Sequence, residues 1–261
     1  MLTTRFFAVS CAALGLLAAG PAFAVGSSAF GLSADLTVGA KETAIGPVNQ
    51  LNSPRTDTYN KAVNSGTYKK TAVIASGAMA PTLTIKADNF RSHVDGIQGK
   101  DGRDDDSAAT ATGFSLILAP PKGASAGVSA PPFLQITANN LQETGSYSQR
   151  TAGSAVSGVA AIGGLTVTGT LVGNKPLKFS GAPTASKVLY QSPTVTVTLN
   201  RQFSTALISC TVGKKGGCVY TPYGVRTAAL EVTLTDALIG ERKISGTITV
   251  GGGQAGLAAG L

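Results

Sequence analysis

Residues 193–250 contain the runs Pro193-Thr-Val-Thr-Val-Thr-Leu-Asn200, Thr205-Ala-Leu-Ile-Ser-Cys210, Cys218-Val-Tyr220, Ala228-Ala-Leu-Glu-Val-Thr-Leu234 and Ile244-Ser-Gly-Thr-Ile-Thr-Val250. Apolar residues alternate with small polar ones in each. Successive side chains of a β-strand point to opposite faces, so a two-residue period suits strands with one face buried. Only 228–238 offers a helical spacing, with Leu230, Leu234 and Leu238 four apart. The β-branched Thr227, Val232, Thr233 and Thr235, and the alternation of Leu230, Val232 and Leu234, favour a strand there too.

The same pattern extends outward. Residues 27–38 alternate so that Phe30, Leu32, Ala34, Leu36 and Val38 share one face, the predicted core face. Further strands are expected at 71–75, 82–87, 112–118, 133–138 and 164–172, with 153–163 a strand or a bulged edge. Segments 39–66 and 88–106 are polar and rich in Gly, Pro, Asn or Asp, and read mainly as loop. The prediction is an all-β chain, an antiparallel two-sheet sandwich of about ten or more short strands in a single domain, 25–261.

Residues 1–24 have the form of a signal peptide: Arg5, an apolar run from Phe6 to Ala19, and Ala22-Phe23-Ala24 as an A-x-A cleavage pattern. Cys11 lies too close to Arg5 for a lipoprotein signal. Export is the expectation, to the periplasm, the cell surface or the medium. A transmembrane barrel would carry aromatic girdles and longer strands. Aromatics make up 6% of this chain and tryptophan is absent, so a chain that does not span the membrane once processed is expected.

Net charge falls from +8 to +7 when Arg5 is removed. Basic residues are scattered, as in Lys69-Lys70 and Lys214-Lys215, without the clustered stripe and stacking aromatics of a nucleic-acid groove. No nucleic-acid partner is expected. Cys210 and Cys218 remain after processing, flanking a glycine- and lysine-rich turn. In an oxidising compartment, two strands joined by such a turn can bring cysteines within disulfide range, so a Cys210–Cys218 bond is predicted.

The chain has one histidine, His93, in Arg91-Ser-His-Val-Asp95. A Ser-His-Asp system needs that histidine as its base, but the neighbouring Ser92 would point away from it along a strand. No catalytic residue and no cofactor is assigned. Asp95, Asp101, Asp104, Asp105 and Asp106, with interspersed glycines, are the one set that could offer carboxylate oxygens to calcium; a solvated acidic loop is the competing reading. Tyr220 and Tyr223 are candidate sugar-stacking platforms, or tyrosines straddling a core edge.

Four stretches together resemble the bacterial secreted proteins called choice-of-anchor P family proteins. They are Ser28-Ala-Phe-Gly-Leu-Ser-Ala34, Ala160-Ala-Ile-Gly-Gly-Leu-Thr-Val-Thr-Gly169, Val225-Arg-Thr-Ala-Ala-Leu-Glu-Val-Thr-Leu234 and Ile248-Thr-Val-Gly-Gly-Gly-Gln-Ala-Gly256. The resemblance implies export and surface or extracellular residence, and carries over no catalytic residue. After Val250 the sequence shows no sorting signal, so free secretion or periplasmic residence is expected. The expected function is a non-catalytic structural or interaction role. Its partners would be cell-surface or matrix components, or further copies joined through edge strands such as 194–200. The alternatives are a carbohydrate-binding module and an extracellular hydrolase acting on a cell-wall or matrix polymer.

Overall fold

The structure is a computed structural model that describes residues 25–54, 58–75, 80–120, 130–210, 218–239 and 242–256. The side chains of 205–210 and 218–222 are outside that description, as is the expected signal peptide. Two antiparallel sheets pack face to face.

In the first sheet the spatial order is β12 (Lys187–Gln191), β13 (Val195–Cys210), β14 (Cys218–Ile239), β15 (Arg242–Ala255), β1 (Val25–Val38) and β2 (Lys41–Val48). The strand β3 (Leu51–Pro54) pairs with the first part of β1, where β2 does not reach. The second sheet runs β11 (Leu177–Gly181), β10 (Gly153–Thr168), β9 (Leu134–Arg150), β8 (Gly102–Ala119), β6 (Thr82–Ala87) and β5 (Tyr68–Val73). There β7 (Asn89–Gly99) pairs with the first part of β8, and β4 (Tyr59–Asn64) pairs with β7. The long strands β1 and β8 are thus each flanked on one side by two shorter ones laid end to end.

The long strands change phase in mid-course. On β8 the buried residues are Arg103, Asp105, Ser107, Ala109 and Ala111, and then Phe114, Leu116 and Leu118. Gly113 makes the switch from odd to even positions, with φ of 56°. Glycine suits a positive φ because it has no Cβ to clash; the pairs Thr112–Asn140 and Phe114–Ala138 keep one register on either side, so β8 and β9 kink together with no residue inserted. Its neighbour β9 switches between Ala138 and Leu141, and β10 between Ile162 and Leu165.

The facing sheet does the same at the same level. Asn200 (φ 49°) on β13, Ala229 on β14, Gly251 (φ 58°) on β15 and Gly31 on β1 are passed over in the pairing registers. Beyond them the inward set changes from Leu199, Leu230, Val250 and Leu32 to Gln202, Thr227, Gly253 and Ala29. These opposed kinks divide the interior into two halves of different chemistry.

One half is a conventional apolar core. Leu116, Leu118, Ile136, Leu165 and Val167 of one sheet meet Val197, Val232, Ile248, Leu32 and Leu36 of the other in a single cluster. Phe90 lies at its margin, edge-on to Tyr68 and Phe114 with centroids 5.4 and 6.3 Å apart. Burying large apolar side chains of this kind contributes about 1.5–3 kcal/mol each, so this half supplies most of the driving force. The other half is lined by small and polar residues.

The all-β sandwich expected from the alternation is what the structure shows, including the strand over 228–238. The chain forms fifteen strands among the described residues, within the ten or more expected. Three expectations need correction. Segments 39–66 and 88–106 are mostly strand, because β7 and β8 hide alternate polar residues from water. Phe30 faces away from the core, since β1 changes phase at Gly31. Residues 195–200 lie between β12 and β14 and are no edge.

Candidate functional site

The polar half of the interior gathers the buried ionisable side chains. Arg103 and Asp105 point inward from β8 because they share a parity with Ser107 and Ala109. Arg103 Nε donates to Asp105 Oδ1 and Oδ2 at 2.8 and 3.0 Å, and Nη2 lies 2.7 Å from Oδ1. Tyr59 reaches in from β4, its hydroxyl 3.0 Å from Asp105 Oδ1 and 2.7 Å from Ser27 Oγ on β1. The Arg103 guanidinium lies 5.7 Å from the Tyr59 ring centroid. Burial, with the Asp105 charge adding to it, pushes the Tyr59 phenol up to about 12. The network therefore ties β4 and β8 of one sheet to β1 of the other.

Glu143 occupies the centre of the same half. It faces inward from β9, opposite Ala109 on β8 and Ala160 on β10, and is wholly buried. Its partner is Thr227 on β14 of the facing sheet, whose hydroxyl donates to Glu143 Oε1. The second carboxyl oxygen, Oε2, has no hydrogen-bond partner. Loss of hydration disfavours a buried charge, and it pushes the Glu143 carboxyl up to about 8 against the opposing pull of Thr227 and the Ala109 backbone. At neutral pH the group is therefore mainly the uncharged acid.

Small residues make room for this pair. A Cβ on Gly253 would sit 2.6 Å from both Glu143 Oε1 and Ser107 Oγ, and one on Gly145 3.1 Å from Thr227 Oγ1. At the open side of the sandwich Gln202 of β13 reaches across, its amide donating 2.5 Å to the Gly158 carbonyl of β10 and 2.9 Å to Asn200 Oδ1. Chemically, the half holds a buried ion pair and a hydroxyl set against a neutral carboxyl.

The residues singled out by sequence are dispersed. Asp95, Asp104, Asp105 and Asp106 lie on the β7–β8 hairpin, with Asp101 in its turn. Alternation sends Asp105 inward to Arg103, while Asp104 faces outward and binds Arg150 through both oxygens at 2.8 and 2.7 Å. Asp95 and Asp106 are cross-strand neighbours on the outer side. The five carboxylates do not converge, and among the described residues no group of three or more His, Cys, Asp or Glu could hold a metal.

His93 Nε2 lies 3.3 Å from Asn60 Oδ1, whereas Ser92 is buried on the opposite side of β7. Tyr223 packs against the satellite cluster of Tyr147, Val225 and Ala255. The Tyr220 side chain is outside the described residues. So are the side chains of Cys210 and Cys218, although their backbones are directly opposite as the last pair of the β13–β14 hairpin. Among the described residues no helix is long and apolar enough to cross a membrane.

Sequence reading missed Glu143, Thr227, Arg103 and Tyr59. The available signal was parity: Leu141, Glu143, Gly145 and Tyr147 share a face, which places a carboxylate in an apolar register. No family model, no curated protein and no solved structure matches the chain.

Proposed function

We propose that the chain is an exported, non-catalytic β-sandwich with a structural or interaction role at the cell surface or in the surrounding matrix, as the resemblance to choice-of-anchor P proteins implies. The observation that carries this reading is where the polar chemistry goes. Arg103, Asp105, Tyr59 and Glu143 are directed between the sheets, where they join strand to strand, and none of them lines an outward cleft. Buried groups that pair with one another stiffen a scaffold. The Cys210–Cys218 disulfide belongs to the same reading, supported by their direct opposition in the hairpin register.

The experiment is fractionation of the source cell combined with binding of the purified chain to isolated envelope and matrix material. Retention on that material, or on immobilised copies of the chain, without release of soluble fragments is the expected result. Progressive release of sugars or peptides from the polymer would replace this reading with the hydrolase.

A further inference from the structure

The pairing of Glu143 with Thr227 is unusual in its setting. The two side chains come from the central strands of opposite sheets, 84 residues apart in sequence. Neither can turn to water: Glu143 is 0% and Thr227 5% exposed. Among the described residues no cation faces the carboxyl from any element packed on it: β8 presents Ala109 and Ser107, β10 Ala160, β15 Gly251 and Gly253, and β14 Ala229 and Thr227. The acid stays protonated, which is its electrophilic form. Thr227 Oγ1 has a second acceptor in the Gly253 carbonyl at 3.5 Å. Turning its proton there frees an oxygen lone pair beside the carboxyl.

We infer that Glu143 and Thr227 condense to an intramolecular ester that links the two sheets covalently. Oγ1 adds to Cδ of the protonated carboxyl and forms the new C–O bond. One C–O bond of the original carboxyl breaks, and that oxygen leaves as water with the carboxyl proton and the threonine proton. Atoms balance with no oxidant, reductant or co-reactant. Holding two reactants in fixed contact is worth an effective concentration of about 10⁵–10⁸ M, which can drive a condensation that is slow between free molecules. The product also removes the one fully buried acid among the described residues that lacks a counter-charge. This inference is independent of the role proposed above.

The test is mass spectrometry of the full chain, purified folded, then denatured, reduced and digested with trypsin. Peptides 123–150 and 227–242 are expected as one branched species, lighter than their sum by one water, about 18 Da. Hydroxylamine applied to the denatured chain before digestion should separate them. Thr227→Ser keeps the hydroxyl and should keep the cross-link, whereas Thr227→Val and Glu143→Ala should yield the two linear peptides. Two linear peptides of full mass from the folded wild type, even after prolonged incubation, would overturn the inference without reference to any variant.

Discussion

Arg103 and Asp105 are two residues apart on β8, and their side chains close on each other inside the sandwich, 3% and 0% exposed. Adjacent inward positions on a strand are here filled by opposite charges, so the strand carries its own neutralisation. Tyr59 completes the acceptor side of Asp105 from another strand. Removing one member leaves a buried charge alone, which typically costs about 3–5 kcal/mol, while replacing both with apolar residues of similar size is often neutral. Asp105→Leu or Arg103→Met singly should lower the denaturant midpoint strongly. The double variant should recover most of the loss, as a two-state unfolding series would show.

Glu143 sets a pH dependence in any chain that carries it as a free acid, Thr227→Val being the clean case. The unfolded carboxyl gives up its proton near 4.5 and the folded one, with Thr227 in place, near 8; losing the Thr227 hydrogen bond, which pulls it down, moves the folded value higher still. Between those values the folded chain holds the extra proton, so stability is complete below the lower value and falls as pH rises to the upper one. The slope approaches about 1.4 kcal/mol per pH unit. Urea unfolding across this window should show the decline in Thr227→Val and none of it in Glu143→Gln/Thr227→Val. The esterified wild type should follow the flat curve.

Gly96 leaves the space that the Tyr59 ring occupies; a Cβ there would overlap the ring carbons Cε1 and Cζ. Gly96→Ala should displace the phenol from Asp105 and cost about 1–3 kcal/mol, the usual range for overpacking. The spectroscopic signature is separate from the stability loss. In the wild type one tyrosine should resist ionisation until about pH 12, and ultraviolet titration of the variant should bring that step towards the ordinary phenol range.

Gly31 faces Phe90 across the sheet interface, and a Cβ there would lie 2.6 Å from the Phe90 Cβ and 2.7 Å from Cδ1. Gly31→Val should therefore destabilise the fold by about 1–3 kcal/mol. Phe90→Ala, which empties a fully buried site, should cost about 3–5 kcal/mol. Thermal and denaturant unfolding of both variants would check the pair.

Cys210 and Cys218 are opposite each other in register. Directly opposed residues of an antiparallel pair have Cα atoms about 4.5–5.5 Å apart, within the range a disulfide accepts. Thiol counting on the chain from residue 25 onward, folded under oxidising conditions, should find no free cysteine until it is reduced. Reduction should lower stability by about 2–3 kcal/mol, given the short loop closed.

The apolar half was legible because its residues advertise themselves. Runs such as Thr194-Val-Thr-Val-Thr-Leu199 or Thr247-Ile-Thr-Val250 alternate large apolar with small polar side chains, and only a half-buried strand uses that order. The polar half was hidden by the same rule. Gly102-Arg-Asp-Asp-Asp-Ser107 reads as loop because nothing in its composition says that every second residue is buried, or that Asp105 meets Tyr59 from a strand 46 residues away. Glu143 was illegible for the same reason, since its neutrality depends on burial beneath the facing sheet. The phase change at Gly113 and Gly251 also broke long strands into what looked like unrelated short ones.

The opposed kinks at Gly113 and Gly251 make the length of each long strand depend on that of its neighbours. Deleting Gly113 alone would keep Arg103, Asp105, Ala111 and Phe114 on one face by plain alternation, but leave β8 one residue short of β9 and pull one half of it out of register. A loss of one residue at that level in any long strand has the same effect. The fold should therefore accept added or removed residues at its hairpin turns, and refuse single ones along the seam where the two halves meet.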